Sequence, residues 1–331
     1  MAKAADVSIT TASLILNNKP GASRISEATK LRVIAASKKL GYIPNMSARN
    51  LRGQDKSAQL TIALIWPIDT RVSLVGRILT GIQSYIASLK SGPTIKLLVE
   101  TFQNEEGISS VKGLQTSSYF NGAIIANTTA ADEAYIHRSK PGVPIVLFNR
   151  VSSIYSVIQS KNYEAGQAVA DHFIRNHHQH ISILVPDVSS QALEAGVKGV
   201  TDRIEQTDVT YCHHYCSYTE QGGYDSIKQL IEQGQVPTAV ICLSDHVALG
   251  ALSALNDYGI SVPADCEVMG FDNQEFSKFT NPRLSTVNLP VEKMAYCAGE
   301  LLVKTISDPY GDVDQQIFNL EIIHRNTTRI K

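Results

Sequence analysis

Residues 238–256 read Thr-Ala-Val-Ile-Cys-Leu, then Ser-Asp, then His-Val-Ala-Leu-Gly-Ala-Leu-Ser-Ala-Leu-Asn. The first six form a short apolar run of strand length. A polar pair follows, and from Asp245 onward the apolar residues return at helical spacing as far as 258. This is one strand–helix unit, and the chain repeats it. Further apolar runs at 61–66, 95–99, 122–126, 145–148, 181–185 and 267–271 predict buried strands. Helical patterns at 74–88, 163–175 and 220–232 fall between them. Such alternation predicts parallel, doubly wound sheets, and so many units predict two sheets rather than one.

Polar residues follow these strands repeatedly: Asp69, Asn127, Asn149, Asp187, Asp245 and Asp272. In open α/β sheets, ligands bind beyond the carboxyl ends of the strands. Two sheets facing each other would share a cleft lined with carboxylates and amides, suited to a ligand with many hydroxyls. Each residue alone also fits a plain turn or cap, and Asp245 could simply cap the helix after it.

The first 53 residues follow a different pattern. Ala2–Ala5 can end a helix, with Asp6 at the turn. Ser8 is placed to cap a helix running to about Leu16, which Asn17-Asn18-Lys19-Pro20-Gly21 stops. Ser26 caps another, with Leu31, Ile34, Ala35 and Leu40 along one face, Lys38 and Lys39 in its last turn and Gly41 beyond. The spacing predicts a helix-turn-helix unit. Pro44 to Gly53 then reads as a brief hinge helix over 45–52, capped by Asn45, with Ala48 and Leu51 on one face and Arg49 and Arg52 beside them. It is too short to hold alone and needs a surface to fold against.

Charge separates the two parts. Residues 1–56 hold ten Lys/Arg against three acids, a balance of +7, so the remaining 275 residues of this −1 chain carry −8. A basic head on an acidic body points to a polyanion partner for the head only. At 331 residues with 43% hydrophobic and 18% charged residues, the chain has ample material for two domains plus the head. Five cysteines without paired spacing read as reduced thiols, and no run has membrane-spanning length or the look of a signal core, so a cytoplasmic protein with no membrane partner is expected.

Enzyme motifs are missing: no Gly-x-Ser-x-Gly elbow, no Walker loop and no dinucleotide glycine fingerprint, so neither catalytic residue nor cofactor is assigned. Tyr211-Cys-His-His-Tyr-Cys216 and Asn176-His-His-Gln-His180 invite a metal reading. Strand alternation would split neighbouring ligands between faces, and no second paired motif completes a zinc site, so no metal is assigned.

Residues 7–53, from Val-Ser-Ile-Thr-Thr-Ala-Ser-Leu-Ile-Leu-Asn through Leu-Gly-Tyr-Ile-Pro-Asn to Ala-Arg-Asn-Leu-Arg-Gly, closely resemble the LacI/GalR family of transcription regulators. The body agrees at Gly-Val-Pro-Ile-Val-Leu-Phe-Asn-Arg (142–150), Ser-Asp-His-Val-Ala-Leu-Gly-Ala-Leu (244–252) and Val-Met-Gly-Phe-Asp-Asn (268–273). The resemblance spans essentially the whole chain. It implies a helix-turn-helix head and hinge over 1–53 and a periplasmic-binding-protein-like body of two α/β subdomains. These would be 54–160 with 290–320, and 161–289 with 321–331, the chain crossing three times.

By resemblance, Ser8 to Leu16 is the recognition helix, its DNA contacts Ser8 at the start, Ile9 and Thr10 toward base edges, and Thr11, Ser13 and Asn17 nearer phosphates. Arg49 and Leu51 belong to the hinge, Leu51 matching a leucine wedged into the minor groove. In the body, Asp69, Arg71, Asn149, Arg150, Tyr218, Asp245 and Asp272 are the implied effector contacts, Tyr218 offering an aromatic platform. The implied protein is a homodimeric regulator, a repressor of carbohydrate-utilisation genes, with a pseudo-palindromic double-stranded operator and a sugar-like effector. A purine- or nucleoside-responsive regulator of the same fold is the alternative, as is a sugar-binding protein whose shortened head no longer binds DNA. Three departures from the family's pattern bear on this. The chain starts inside the family's first helix. Leu14 stands where many members carry an arginine or histidine for base contact, which makes readout there apolar. Ser190-Gln191-Ala192 and Gly196 stand where members often carry effector-binding arginines, a loss that Arg71 or Arg150 could compensate.

Overall fold

The computed structural model describes residues 2–16, 25–39, 59–68, 70–115, 119–188, 190–308 and 311–329. The head begins with a single 3-10 turn, Lys3–Ala5, closed by Asp6 at φ 51°, a left-handed position that a short polar side chain tolerates. Helix α1 (Ile9–Leu16) starts where Ser8 Oγ accepts the Thr11 amide at 3.0 Å. Helix α2 (Glu27–Lys39) starts likewise at Ser26, whose hydroxyl faces the Thr29 amide at 3.4 Å. Each satisfies a donor that the helix itself cannot.

The head's core is small. Ala5, Ala12 and Val33 are buried, with Ala2, Val7, Ile15 and Ala36 packed around them. The expected apolar face of α2 is therefore corrected: Leu31 is 65% exposed and Ala35 is exposed, while Val33 and Ala36 form the seam. Contact with the first turn and α1 sets that seam, and the bulkier leucine falls outside it. Leu40, Asn17 and the hinge over 45–52, including Arg49 and Leu51, lie outside the described residues, as does the side chain of Ile34.

Two six-stranded sheets make the body. The first orders β11-β5-β4-β3-β1-β2, from β1 (Gln59–Pro67), β2 (Thr94–Phe102), β3 (Gly122–Ala126), β4 (Ile145–Phe148), β5 (Ser156–Ser160) and β11 (Gln315–Phe318). The second orders β12-β10-β9-β8-β6-β7, from β6 (His180–Pro186), β7 (Thr210–Cys216), β8 (Ala239–Cys242), β9 (Glu267–Phe271), β10 (Ser285–Asn288) and β12 (Glu321–Ile323). Every pairing is parallel except β10 with β12. The chain therefore passes between sheets after β5, after β10 and after β11.

Helices cover both faces of each sheet: α3 (Val72–Ser88), α4 (Ala130–Ser139) and α9 (Val291–Ser307) on the first; α5 (Asn162–Arg175), α6 (Gln191–Ile204), α7 (Glu220–Glu232) and α8 (Asp245–Asp257) on the second. Side-chain alternation divides β1 accordingly. Ile62 and Leu64 join Ile78, Ile82, Met294 and Leu302 on one face; Ala63 and Ile65 join Ile108, Phe120 and Ile136 on the other. The second sheet divides the same way, Ile183 with Phe173 and Val200, and Leu184 with Ile227 and Leu255.

The 176–180 histidine stretch is absorbed by this packing, whereas in β7 the Nε2 atoms of His213 and His214 are buried without a hydrogen-bond partner among the described residues. His178 Nε2 lies 3.0 Å from the fully buried Glu267 carboxylate, which also accepts from Asn176 and from Arg329 in the C-terminal segment. His180 Nδ1 is 2.8 Å from Thr210. All five cysteines are free thiols, and among the described residues no group of three metal-ligating side chains converges.

Helices α7 and α8 approach through glycine. A Cβ at Gly250 would sit 1.7 Å from the Glu220 carbonyl oxygen, whereas one at Gly76, on α3, would meet nothing within 4 Å. The same substitution should therefore act in opposite directions. Gly250→Ala should lower stability by ~1–3 kcal/mol through overpacking, and Gly76→Ala should raise it by up to ~1 kcal/mol through helix propensity. Urea melts of both variants check this; a Gly250→Ala melt superimposed on the parent would contradict the close helix contact.

Candidate functional site

The carboxyl ends of the two sheets face one another across a cleft with a cavity of about 390 Å³. Local backbone geometry aims its polar groups. Asn127 after β3, Asn149 after β4 and Asp272 after β9 have φ of 54°, 55° and 110°. Asn and Asp visit this region at lower cost than other non-glycine residues, and the turn directs their side chains across the strand ends. All three line the cleft, as does Asp187 after β6. Asp69 lies outside the described residues.

The aromatic surface comes from the loop after β7. Tyr218 lines the cleft, and the Arg71 guanidinium carbon stands 3.9 Å from its ring centroid. Burial pushes the Tyr218 phenol well above its ordinary range, and the nearby Asp272 adds to the shift. Arg71 immediately precedes α3, whose first turn receives no side-chain cap.

Asp272 and Asp245 behave differently. Asp272 reaches the cleft, yet its carboxyl is pushed well above the usual carboxylate range, first by burial and then by Asp245. Asp245 is corrected from its expected role: it does not line the cleft but lies fully buried behind it. Its oxygens accept the Thr286 hydroxyl at 2.5 Å and the Gln274 amide at 2.7 Å. It thereby holds the β9–α8–β10 corner, while Ser244 caps α8 through the His246 amide.

Arg77 was not anticipated from the sequence. From α3 its guanidinium donates to both Glu292 carboxylate oxygens at 2.7 and 2.9 Å, to the Asp272 carbonyl at 3.0 Å and to the Leu289 carbonyl at 2.9 Å. It ties the first sheet's helix to the crossover and to a cleft residue of the second sheet.

Arg150 and Asn149 fall where the sequence placed them, though both are engaged. Arg150 is buried; it donates to the Thr128 and Asn149 carbonyls at 2.9 and 2.8 Å and stands 3.1 Å from Glu133. Burial lowers its affinity for its proton, and Glu133 opposes that shift. Glu133 also accepts Gln191 Nε2 at 2.8 Å, a hydrogen bond from α4 of the first sheet to α6 of the second. Asn149 Oδ1 accepts the Ser160 hydroxyl at 2.7 Å, and Asn162 Nδ2 donates to that same hydroxyl oxygen at 2.8 Å.

On the head, Ile9 is 77% exposed, and Ser8 and Thr10 are exposed too, so the amino end of α1 is open to solvent. Thr11 and Leu14 are half-buried, and Thr11 shares its hydroxyl with Ser8 at 2.9 Å. The Ser13 side chain and Asn17 lie outside the described residues.

Known families match both parts. The family model for bacterial regulatory proteins of the lacI family matches residues 1–45, and that of the periplasmic binding protein-like domain matches 170–328. The chain is 31% identical over 347 residues to the HTH-type transcriptional regulator in the aml 5′ region of Streptomyces limosus, covering 99% of this chain and 93% of that protein. The chain belongs to the LacI family of transcriptional regulators. It is also 29% identical to the probable HTH-type transcriptional repressor ExuR of Bacillus subtilis, over 99% of this chain and 97% of the relative. A LacI family transcription regulator from Clostridium acetobutylicum superposes with a TM-score of 0.75 at 28% identity, covering 81% of this chain and all of that one. The relatives are transcription regulators, not enzymes. No helix among the described residues is long and apolar enough to cross a membrane.

Within this LacI-family body, Asp245 supplies a pH test. Burial pushes its carboxyl up to about 7, against ~3.9 in an unfolded chain. Between those values the folded protein holds the proton and the unfolded chain does not. Its contribution to stability is therefore full below about pH 4 and is lost as pH rises through about 7. Asp245→Asn should remove this part of the pH dependence, so the stability gap between parent and variant should change across that window. Denaturant melts at several pH values give the gap directly; parallel curves would contradict the buried, proton-holding Asp245.

Proposed function

We propose that the protein is a homodimeric repressor that reads a pseudo-palindromic operator and is controlled by a sugar-like effector bound between the two sheets. The observation that carries this is the cleft itself. A tyrosine ring, Asp272, Asn127, Asn149 and Asp187 converge from the strand ends of both halves. An aromatic face against the apolar side of a sugar ring, with amides and carboxyls around its hydroxyls, suits a polyhydroxylated ligand. Asp272, Tyr218, Asn149, Arg150 and Arg71 are assigned to the effector, with Asp69 beside them.

The head is assigned to DNA. The exposed Ile9 and Thr10 read base edges, Ser8, Thr11, Ser13 and Asn17 approach phosphates, and Leu14 offers an apolar contact. Arg49 and Leu51 of the hinge segment complete the set, Leu51 in the minor groove. One such head makes few base contacts, so two related by symmetry are needed to discriminate a site. The similarity to a repressor of Bacillus subtilis favours repression as the direction of control.

Two measurements test this reading. With a sugar that raises the melting temperature of the full chain, calorimetry should show Asp272→Ala weakening binding about tenfold, because losing a hydrogen bond in such a site costs ~1–3 kcal/mol. Unchanged affinity would move the site elsewhere. With a duplex selected by the protein from a random pool, Thr10→Ala should cost more affinity on the selected duplex than on random DNA. Equal losses would remove α1 from the groove.

A further inference from the structure

We propose that the effector is a sugar acid, its carboxylate held by the Arg71 guanidinium at the amino end of α3. This rests on the reading of the cleft as a sugar site and adds the charge of its ligand.

Among the described residues three arginines line the cleft, and two are already engaged. Arg77 is taken by the Glu292 carboxylate and by the Asp272 and Leu289 carbonyls. Arg150 is taken by the Thr128 and Asn149 carbonyls and stands against Glu133. Arg71 differs. Its planar group stacks over Tyr218 at 3.9 Å, and among the described residues no carboxylate lies within ion-pair distance of it. That position covers one face of the guanidinium, and among the described residues no hydrogen-bond acceptor meets its N–H edge. That edge matches a carboxylate with two parallel hydrogen bonds.

A second feature of the same rim points to an anion. α3 is 17 residues long and starts at Arg71 with no side chain accepting from its first turn. Ser73 and Leu74 of that turn line the cleft, and the first amide to find a helical partner is that of Val75. Unpaired amides at a helix start, with the helix dipole behind them, favour negative charge.

Asp272 and Asp187 are the acids among the described cleft residues, and burial, then Asp245, pushes the Asp272 carboxyl well above the usual carboxylate range. The two parallel donors of a single guanidinium suit the one negative charge of a carboxylate better than the double charge of a phosphate. The remaining amides and the tyrosine ring take the hydroxyls and the apolar face of the ring.

The test uses the full chain with matched probes: galacturonate, glucuronate and gluconate; their neutral counterparts galactose, glucose and glucitol; and glucose 6-phosphate. Thermal shift followed by calorimetry should show at least one acid binding while its neutral counterpart does not bind at equal concentration. Arg71→Gln should weaken that acid roughly tenfold or more, as expected for a charged hydrogen-bonded pair, with the melting temperature of the free protein little changed. Arg71→Lys, which keeps the charge without the fork, should fall between. Neutral sugars binding as well as their acids would overturn the inference and leave the sugar site intact. Binding of the phosphate alone would overturn the carboxylate. Binding of no probe of any kind would instead sink the sugar reading beneath it.

Discussion

The Arg77 guanidinium is the contact on which the cleft's geometry depends most. It reaches from a helix of the first sheet to the Asp272 carbonyl of the second, to the Leu289 carbonyl in the crossover and to Glu292 at the start of the following helix. The Asp272 backbone, already turned to φ 110°, is thereby held where its side chain faces Tyr218 and Arg71. On the other lip the two halves are joined more lightly, by Gln191 to Glu133 on the protein's exposed side. A body pinned near its crossovers and lightly bridged at the far lip is built in a way that suits opening and closing of the cleft. A ligand touching both rims shifts that balance only by its difference in affinity for the two arrangements.

Coupling to DNA follows the same arithmetic. If closure changes the spacing of two heads in a dimer, effector and operator alter each other's affinity by one shared factor, for which ~1–3 kcal/mol is typical. The small head core of Ala5, Ala12 and Val33 fits this division of labour. It holds α1 and α2 together through small side chains and leaves Ile9 and Thr10 outward.

Most of the fold was legible because burial on both faces makes parallel strands nearly continuous apolar runs. β3, β4 and β9 lie where those runs predict, and α7 spans the predicted residues. The strands that no apolar run marks are short, polar or at edges: β7, β11 and β12 border their sheets, while β5 (Ser-Val-Ile-Gln-Ser) and β10 lie inside. β10 reads Ser-Thr-Val-Asn, yet Ser285 and Thr286 are fully buried, since their hydroxyls pair with Thr328 and Asp245. The β7 pattern alternates because it lies at a sheet edge. Helices α4, α6 and α9 were also missed. In the site, Asn127, Asn149, Asp187 and Asp272 were visible as polar residues ending strands, a local signal. Arg77 was not, because its partners lie 195 to 215 residues away. Asp245 gave the same signal as Asp272 and yet supports the site from behind. Spacing along a sequence does not distinguish a residue that faces the cleft from one a layer deeper. In α2, Leu31 was misplaced because its seam is set by the short α1 and the first turn, not by its own apolar content.

The central claim is that one ligand is held jointly by the strand ends of both sheets. Hydrogen exchange of the full chain with and without a stabilising effector tests it most directly. The account predicts slower exchange in both rims together: around 71–77, 127–129 and 149–150 in the first half, and around 187–193, 218–220 and 272–274 in the second. Protection confined to one half, or lying away from these strand ends, would contradict it.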